Sequence, residues 1–158
     1  LYACKRELGG GVLRTECHEM DLLNWIFGPA KRVFGVLQNR SKYILDVEDS
    51  ADLILDYENY CASVKLCFMT KNQERVIEIK GEKGMIRCDL NRNEMFQLDF
   101  ANNVEDCFKA NDLTPDSLFL EQAKFFINNK ASFKSSYINA VETLTSLFDR
   151  IEISNKQQ

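Results

Sequence analysis

A single histidine, His18, stands in a run of groups that can donate, accept or hold a proton: Thr15, Glu16, Cys17, His18, Glu19 and Asp21. Its imidazole changes charge near neutral pH, which suits general acid–base work. Placed on a helix, Thr15, His18 and Asp21 recur every three residues, so a hydroxyl, an imidazole and a carboxylate can share one face. Cys17 is a poor nucleophile for His18 to activate, because consecutive helical residues point to different sides. The same geometry, with no H-E-x-x-H pattern present, gives no expectation of a metal centre built from Cys17, His18, Glu19 or Asp21.

These residues need a support, and the flanking sequence supplies one. Gly9-Gly10-Gly11 lies just before them; Leu22, Leu23, Trp25, Ile26 and Phe27 follow, closed by Gly28-Pro29. That order predicts a flexible loop feeding a helix. The glycines match neither G-x-G-x-x-G nor G-x-x-x-x-G-K-[ST], so no phosphate cradle and no nucleotide-binding fold is expected from them.

Downstream the apolar period changes to two. Residues 32–40 predict a first strand, and 41–47 a polar connection. Ala51, Leu53, Leu55 and Tyr57 then alternate with Asp52 and Asp56, with Ile54 breaking the pattern. After a turn at Glu58-Asn59, Ala62, Val64, Leu66 and Phe68 complete a hairpin. Gly81-Glu82-Lys83-Gly84 joins strands at 74–80 and 85–90 as a second hairpin, and Asn91-Arg92-Asn93 leads into a strand at 95–100. Residues 101–113 read as polar and irregular.

Thr114-Pro115-Asp116 predicts a helix start, with Leu118, Phe119, Ala123, Phe126 and Ile127 as its apolar stripe and an end near Asn128-Asn129. A last helix is expected from about Ser136, carrying Ile138, Val141, Leu144, Leu147, Phe148 and Ile151. Successive strands without intervening helices imply an α+β fold: an open, mostly antiparallel sheet with helices packed on one face.

At 158 residues with 45% apolar content, the chain suits one domain over 1–158. Its net charge of −4 and interspersed basic residues argue against nucleic acid as a partner. No window has eighteen uninterrupted apolar residues and the first residues lack signal-peptide order, so no membrane association and a cytoplasmic setting are expected. Six cysteines without a C-x-x-C pair are expected to be reduced. The uncapped opening segment up to Leu8 suggests a natural start further upstream.

The segment Gly9-Gly-Gly-Val-Leu-Arg-Thr-Glu-Cys-His-Glu-Met-Asp-Leu-Leu-Asn-Trp-Ile-Phe-Gly28 resembles the G-G-G-V-L-x-D-x-S-H-E-x-D-x-x-x-W-L-x-G stretch in the C-terminal domain of Gfo/Idh/MocA oxidoreductases. Val47-Glu-Asp-Ser-Ala-Asp, Ile79-Lys-Gly-Glu-Lys-Gly-Met-Ile86 and Phe119-Leu-Glu-Gln-Ala-Lys-Phe-Phe126 are similar to later elements of that domain. The resemblance implies a fold like the C-terminal domains of dihydrodipicolinate reductase and glyceraldehyde-3-phosphate dehydrogenase, without its Rossmann domain. It further implies a parent oxidoreductase acting on CH–OH groups of a sugar, nucleotide sugar or cyclitol. NAD or NADP would be held mainly by an N-terminal domain outside this chain, so no cofactor residue is expected here and the isolated domain is expected to be inactive.

By the same resemblance His18 is the catalytic residue and Arg14, Thr15 and Asp21 are substrate-binding, while copies associate as dimers or tetramers through the sheet. One departure matters. The related pattern has an aspartate where this chain has Thr15, which can hydrogen-bond but cannot carry negative charge. Either Asp21 or Glu16 substitutes, or His18 only positions substrate. The alternative function is a non-catalytic binding or dimerisation module derived from the family.

Overall fold

The computed structural model describes residues 2–41, 46–129, 141, 144, 145, 148 and 151–153. They fall into two compact units, one formed by Leu1–Met69 with Ala131–Gln158, the other by Thr70–Lys130.

The first unit begins with two single-turn 3-10 segments, Tyr2–Cys4 and Arg6–Leu8, followed by helices α1 (Val12–Thr15) and α2 (Cys17–Phe27). Strands β1 (Arg32–Gln38), β2 (Ser50–Asp56) and β3 (Cys61–Cys67) pair antiparallel in sequence. Alternation decides the buried face. Ala51, Leu53 and Leu55 are buried while Ile54, the residue that breaks the pattern, is half exposed. Val33 and Leu66 join that face from the neighbouring strands, and Val12, Leu13, Met20, Ala30 and Tyr57 close the core over it.

Helix α2 docks through Met20, Leu23 and Phe27, which recur at spacings of three and four, and this leaves Trp25 on the far side at 83% exposure. Its end is pinned by Phe27, whose ring centroid lies 5.8 Å from that of Tyr57 and 5.6 Å from that of Tyr60. Gly28, at φ 77, then turns the chain toward β1.

The second unit is a meander: β4 (Val76–Lys80), β5 (Gly84–Asp89), β6 (Glu94–Asp99) and β7 (Val104–Lys109), each antiparallel to the next. Its last two turns use the same device. Asp89 accepts from the backbone N–H groups of Asn91 and Arg92, with Asn93 at φ 54; Asp99 accepts from those of Ala101 and Asn102, with Asn103 at φ 51. Helix α3 (Pro115–Asn128) starts at the expected cap, where Thr114 Oγ1 accepts from Ser117 N and Ser117 Oγ accepts from Thr114 N.

The α+β class and the largely antiparallel sheets agree with the sequence, and three elements differ. Residues 101–113 contain β7, a fully exposed edge strand whose acidic residues hide any alternation. With β8 (Ile151–Ile153), the strands form two four-stranded sheets, β3-β2-β1-β8 and β4-β5-β6-β7, in place of a single meander. Val141, Leu144, Thr145 and Phe148 are helical, with Leu144 and Phe148 packed against the first core; Ile151 instead opens β8 (Ile151–Ile153), which pairs parallel with β1. The expected helix start near Ser136, Ile138 and Leu147, and most of the 41–47 connection, lie outside the described residues. No helix among the described residues is long and apolar enough to cross a membrane, and all six cysteines are free thiols.

Candidate functional site

The glycine run is shaped by the chain's own backbone. Gly10 N donates to Lys5 O at 2.9 Å and Gly11 N to Ala3 O at 2.9 Å, folding the loop back on the first turns. A Cβ on Gly10 would lie 2.5 Å from Ala3 O and 2.6 Å from Tyr2 O. Gly11 sits at φ 116 with the Glu48 carboxylate in the space a Cβ would fill. The glycines thus serve a close approach within the protein.

That carboxylate belongs to a short acidic run which organises the loop. Val12 N donates to Glu48 O at 3.0 Å and Leu13 N to Glu48 Oε1 at 3.4 Å, so Glu48 satisfies the free amides at the start of α1. Arg6 donates to Asp46 through its backbone N–H and its guanidinium. Asp49, fully buried, accepts from Arg40 N and from Ser41 N, the latter at 2.7 Å. Burial alone would push the Asp49 carboxyl up; the Arg40 and Ser41 donors outweigh it and hold the carboxyl below its usual value.

The histidine segment is not one continuous helix. Thr15 ends α1, Glu16 interrupts at φ −98 and ψ 25, and His18 is the second residue of α2. This is the sparsely populated bridge region of backbone space. The break turns two acids onto the imidazole: His18 Nε2 lies 3.3 Å from Glu16 Oε2 and 3.2 Å from Glu19 Oε1. Asp21 and Arg14 are exposed, and it is Glu16, with Glu19, that supplies the carboxylate at His18. Thr15 Oγ1 is buried without a hydrogen-bond partner.

His18 and Glu19 meet despite their one-residue spacing, both lying in the first turn of α2. The three donor atoms lie within 4.8 Å of one another, close enough that they could also share a metal ion. Neither Glu16 nor Glu19 is singled out by spacing rules; the signal available was two carboxylates within two residues of the chain's one imidazole.

A loop, a broken helix and open, largely antiparallel sheets with a surface imidazole define an α+β domain. Residues 2–87, more than half of the chain, match the GFO/IDH/MocA C-terminal domain, and the chain belongs to that family. Similar solved structures include the WlbA dehydrogenase from Bordetella pertussis in complex with NADH and UDP-GlcNAcA, at 28% identity over 51% of this chain and 26% of that one, with a TM-score of 0.46. A super-repressor mutant of Gal80p from Saccharomyces cerevisiae matches 82% of this chain and 40% of its own at 14% identity and TM-score 0.62. An inositol dehydrogenase homologue from Azotobacter vinelandii, complexed with NADH and myo-inositol, matches 66% and 30% at 17% identity and TM-score 0.54. The chain therefore spans between about a quarter and two fifths of the length of these structures. No curated protein sequence matches it.

Proposed function

We propose that this chain is the substrate domain of an NAD(P)-dependent oxidoreductase acting on a hydroxyl or carbonyl carbon of a sugar, nucleotide sugar or cyclitol. His18 handles the proton, and Arg14, Thr15 and Asp21 contact substrate. The dinucleotide binds to a Rossmann domain elsewhere in the same cytoplasmic protein, and copies associate through a sheet face. The observation that supports this reading is the position of the chain's one histidine: exposed, at a helix break, with two carboxylates at one ring nitrogen, in a member of this family. Myo-inositol, the ligand of the Azotobacter vinelandii protein, is a reasonable first substrate to try. In the intact protein, assayed with both dinucleotides against a panel of sugars, nucleotide sugars and cyclitols, His18→Ala is expected to lower turnover by about 100-fold or more. Rates near wild type would remove the catalytic assignment.

A second reading, a binding or dimerisation module without chemistry, draws on Thr15, whose buried hydroxyl is unpartnered where the related pattern has an acid. The same fold is present in Gal80p, described as a repressor. Calorimetric titration of the intact protein with NAD and NADP separates the two: absence of binding to either favours the module.

A further inference from the structure

We infer that Glu16 and Glu19 are positioning residues that decide which ring nitrogen of His18 takes a proton from substrate; this rests on the proposed catalytic role of His18. The two carboxylate oxygens lie 3.3 and 3.2 Å from Nε2 and within 4.8 Å of each other, so both face the same nitrogen. A nitrogen lone pair facing two carboxylates is repelled, whereas an N–H there is attracted, so the neutral ring carries its hydrogen on Nε2. Nδ1 then keeps the lone pair. In the forward proton transfer the substrate O–H bond breaks, its electron pair stays on oxygen, and an N–H bond forms at Nδ1. The resulting imidazolium then has two carboxylates already in place at its Nε2 side.

The backbone holds both acids where this requires. Glu16 N donates to Val12 O at 2.9 Å, and Glu16 O accepts from Glu19 N at 3.1 Å, so the two acids are fixed to one another across the helix break. Their side chains are 37% and 19% exposed against 51% for His18, so the acids are the better anchored members of the group. The negative charge that Thr15 cannot supply is thereby present one residue later and four residues later.

The test reads the tautomer directly. In the intact protein labelled with nitrogen-15 histidine, the His18 ring signals are those lost in His18→Gln. At a pH where the ring is neutral, wild type is expected to show the Nε2–H form in large excess. Glu16→Ala/Glu19→Ala is expected to lower that excess toward the smaller Nε2–H preference of free histidine, and to lower kcat by about tenfold while KM changes by less than about threefold. If the alanine pair does not fold, the near-isosteric Glu16→Gln/Glu19→Gln pair carries the same expectation, because it removes both charges.

An Nδ1–H ring in wild type, or an unchanged tautomer and kcat in the double variant, overturns the inference. So does a stoichiometric divalent ion bound to wild type and lost in the double variant, since the imidazole nitrogen would then be a ligand. Full turnover in His18→Gln would instead remove the catalytic reading itself, whatever the tautomer.

Discussion

Asp49 is the buried charged side chain among the described residues, and its carboxylate accepts from the backbone N–H groups of Arg40 and Ser41. Its carboxyl is depressed on folding, so the group contributes stability that is present above its unfolded value, near 3.8, and is lost as pH falls through the lower folded value. Asp49→Asn is therefore expected to cost about 1–3 kcal/mol at neutral pH, from amide hydrogens facing backbone N–H groups. The penalty should shrink below about pH 4. Denaturant melts of both proteins across that range measure it; a penalty independent of pH would contradict the assignment. Asp56, Glu78 and Asp99 are also depressed, the first chiefly by the Glu58 amide, the second by Lys80 and the third by Asn102. Only the difference between wild type and variant isolates Asp49. Gly11→Ala combines a left-handed φ with a Cβ driven into the Glu48 carboxylate, and a loss of roughly 1–3 kcal/mol is expected by the same melts.

Elements carry stability here unevenly. Leu55 is fully buried at the centre of the first core, so Leu55→Ala is expected to cost about 2–5 kcal/mol. Thr114→Ala removes the cap of α3, a helix whose apolar residues are exposed, and the expected loss is about 1 kcal/mol, read as lower helicity by circular dichroism. The hairpins β2-β3 and β4-β5 were legible because alternation and turn residues agree. Strand β7 was not, because Val104-Glu105-Asp106-Cys107-Phe108-Lys109 is an exposed edge whose register comes from the Asp99 turn and the Lys109–Glu94 ion pair at 2.7 Å. Ile151 read as a continuation of the preceding helical spacing, since nothing local in three residues announces a parallel strand. In the site, His18 was evident from its type. Glu16 was one of the two acids the sequence offered as its partner, whereas Glu19 was not, because helical periodicity presumes a continuous helix and Glu16 breaks it.

At the scale of the whole molecule, the register of the second sheet lines up Ile77, Cys88, Met95 and Phe108 in one apolar row across all four strands. Phe108 is 51% exposed, so the row is available to a second copy. Light scattering is expected to give a dimer or larger assembly, shifted toward monomer by Phe108→Glu; a strict monomer at high concentration would count against association through the sheet.

The parallel pairing of β8 with β1 has a temporal side. During synthesis, the β1 edge that receives Ile151–Ile153 is made early and waits while the ribosome adds the 112 residues between Gln38 and Ile151. At about 5–20 residues per second that is roughly 6–22 s with an open strand edge in the nascent chain. The second meander, Val76 to Lys109, pairs only with its sequence neighbours and can close in the meantime. A ribosome stalled between the two events would display an incomplete first sheet while the second is finished, a natural substrate for the chaperones that shield unpaired edges.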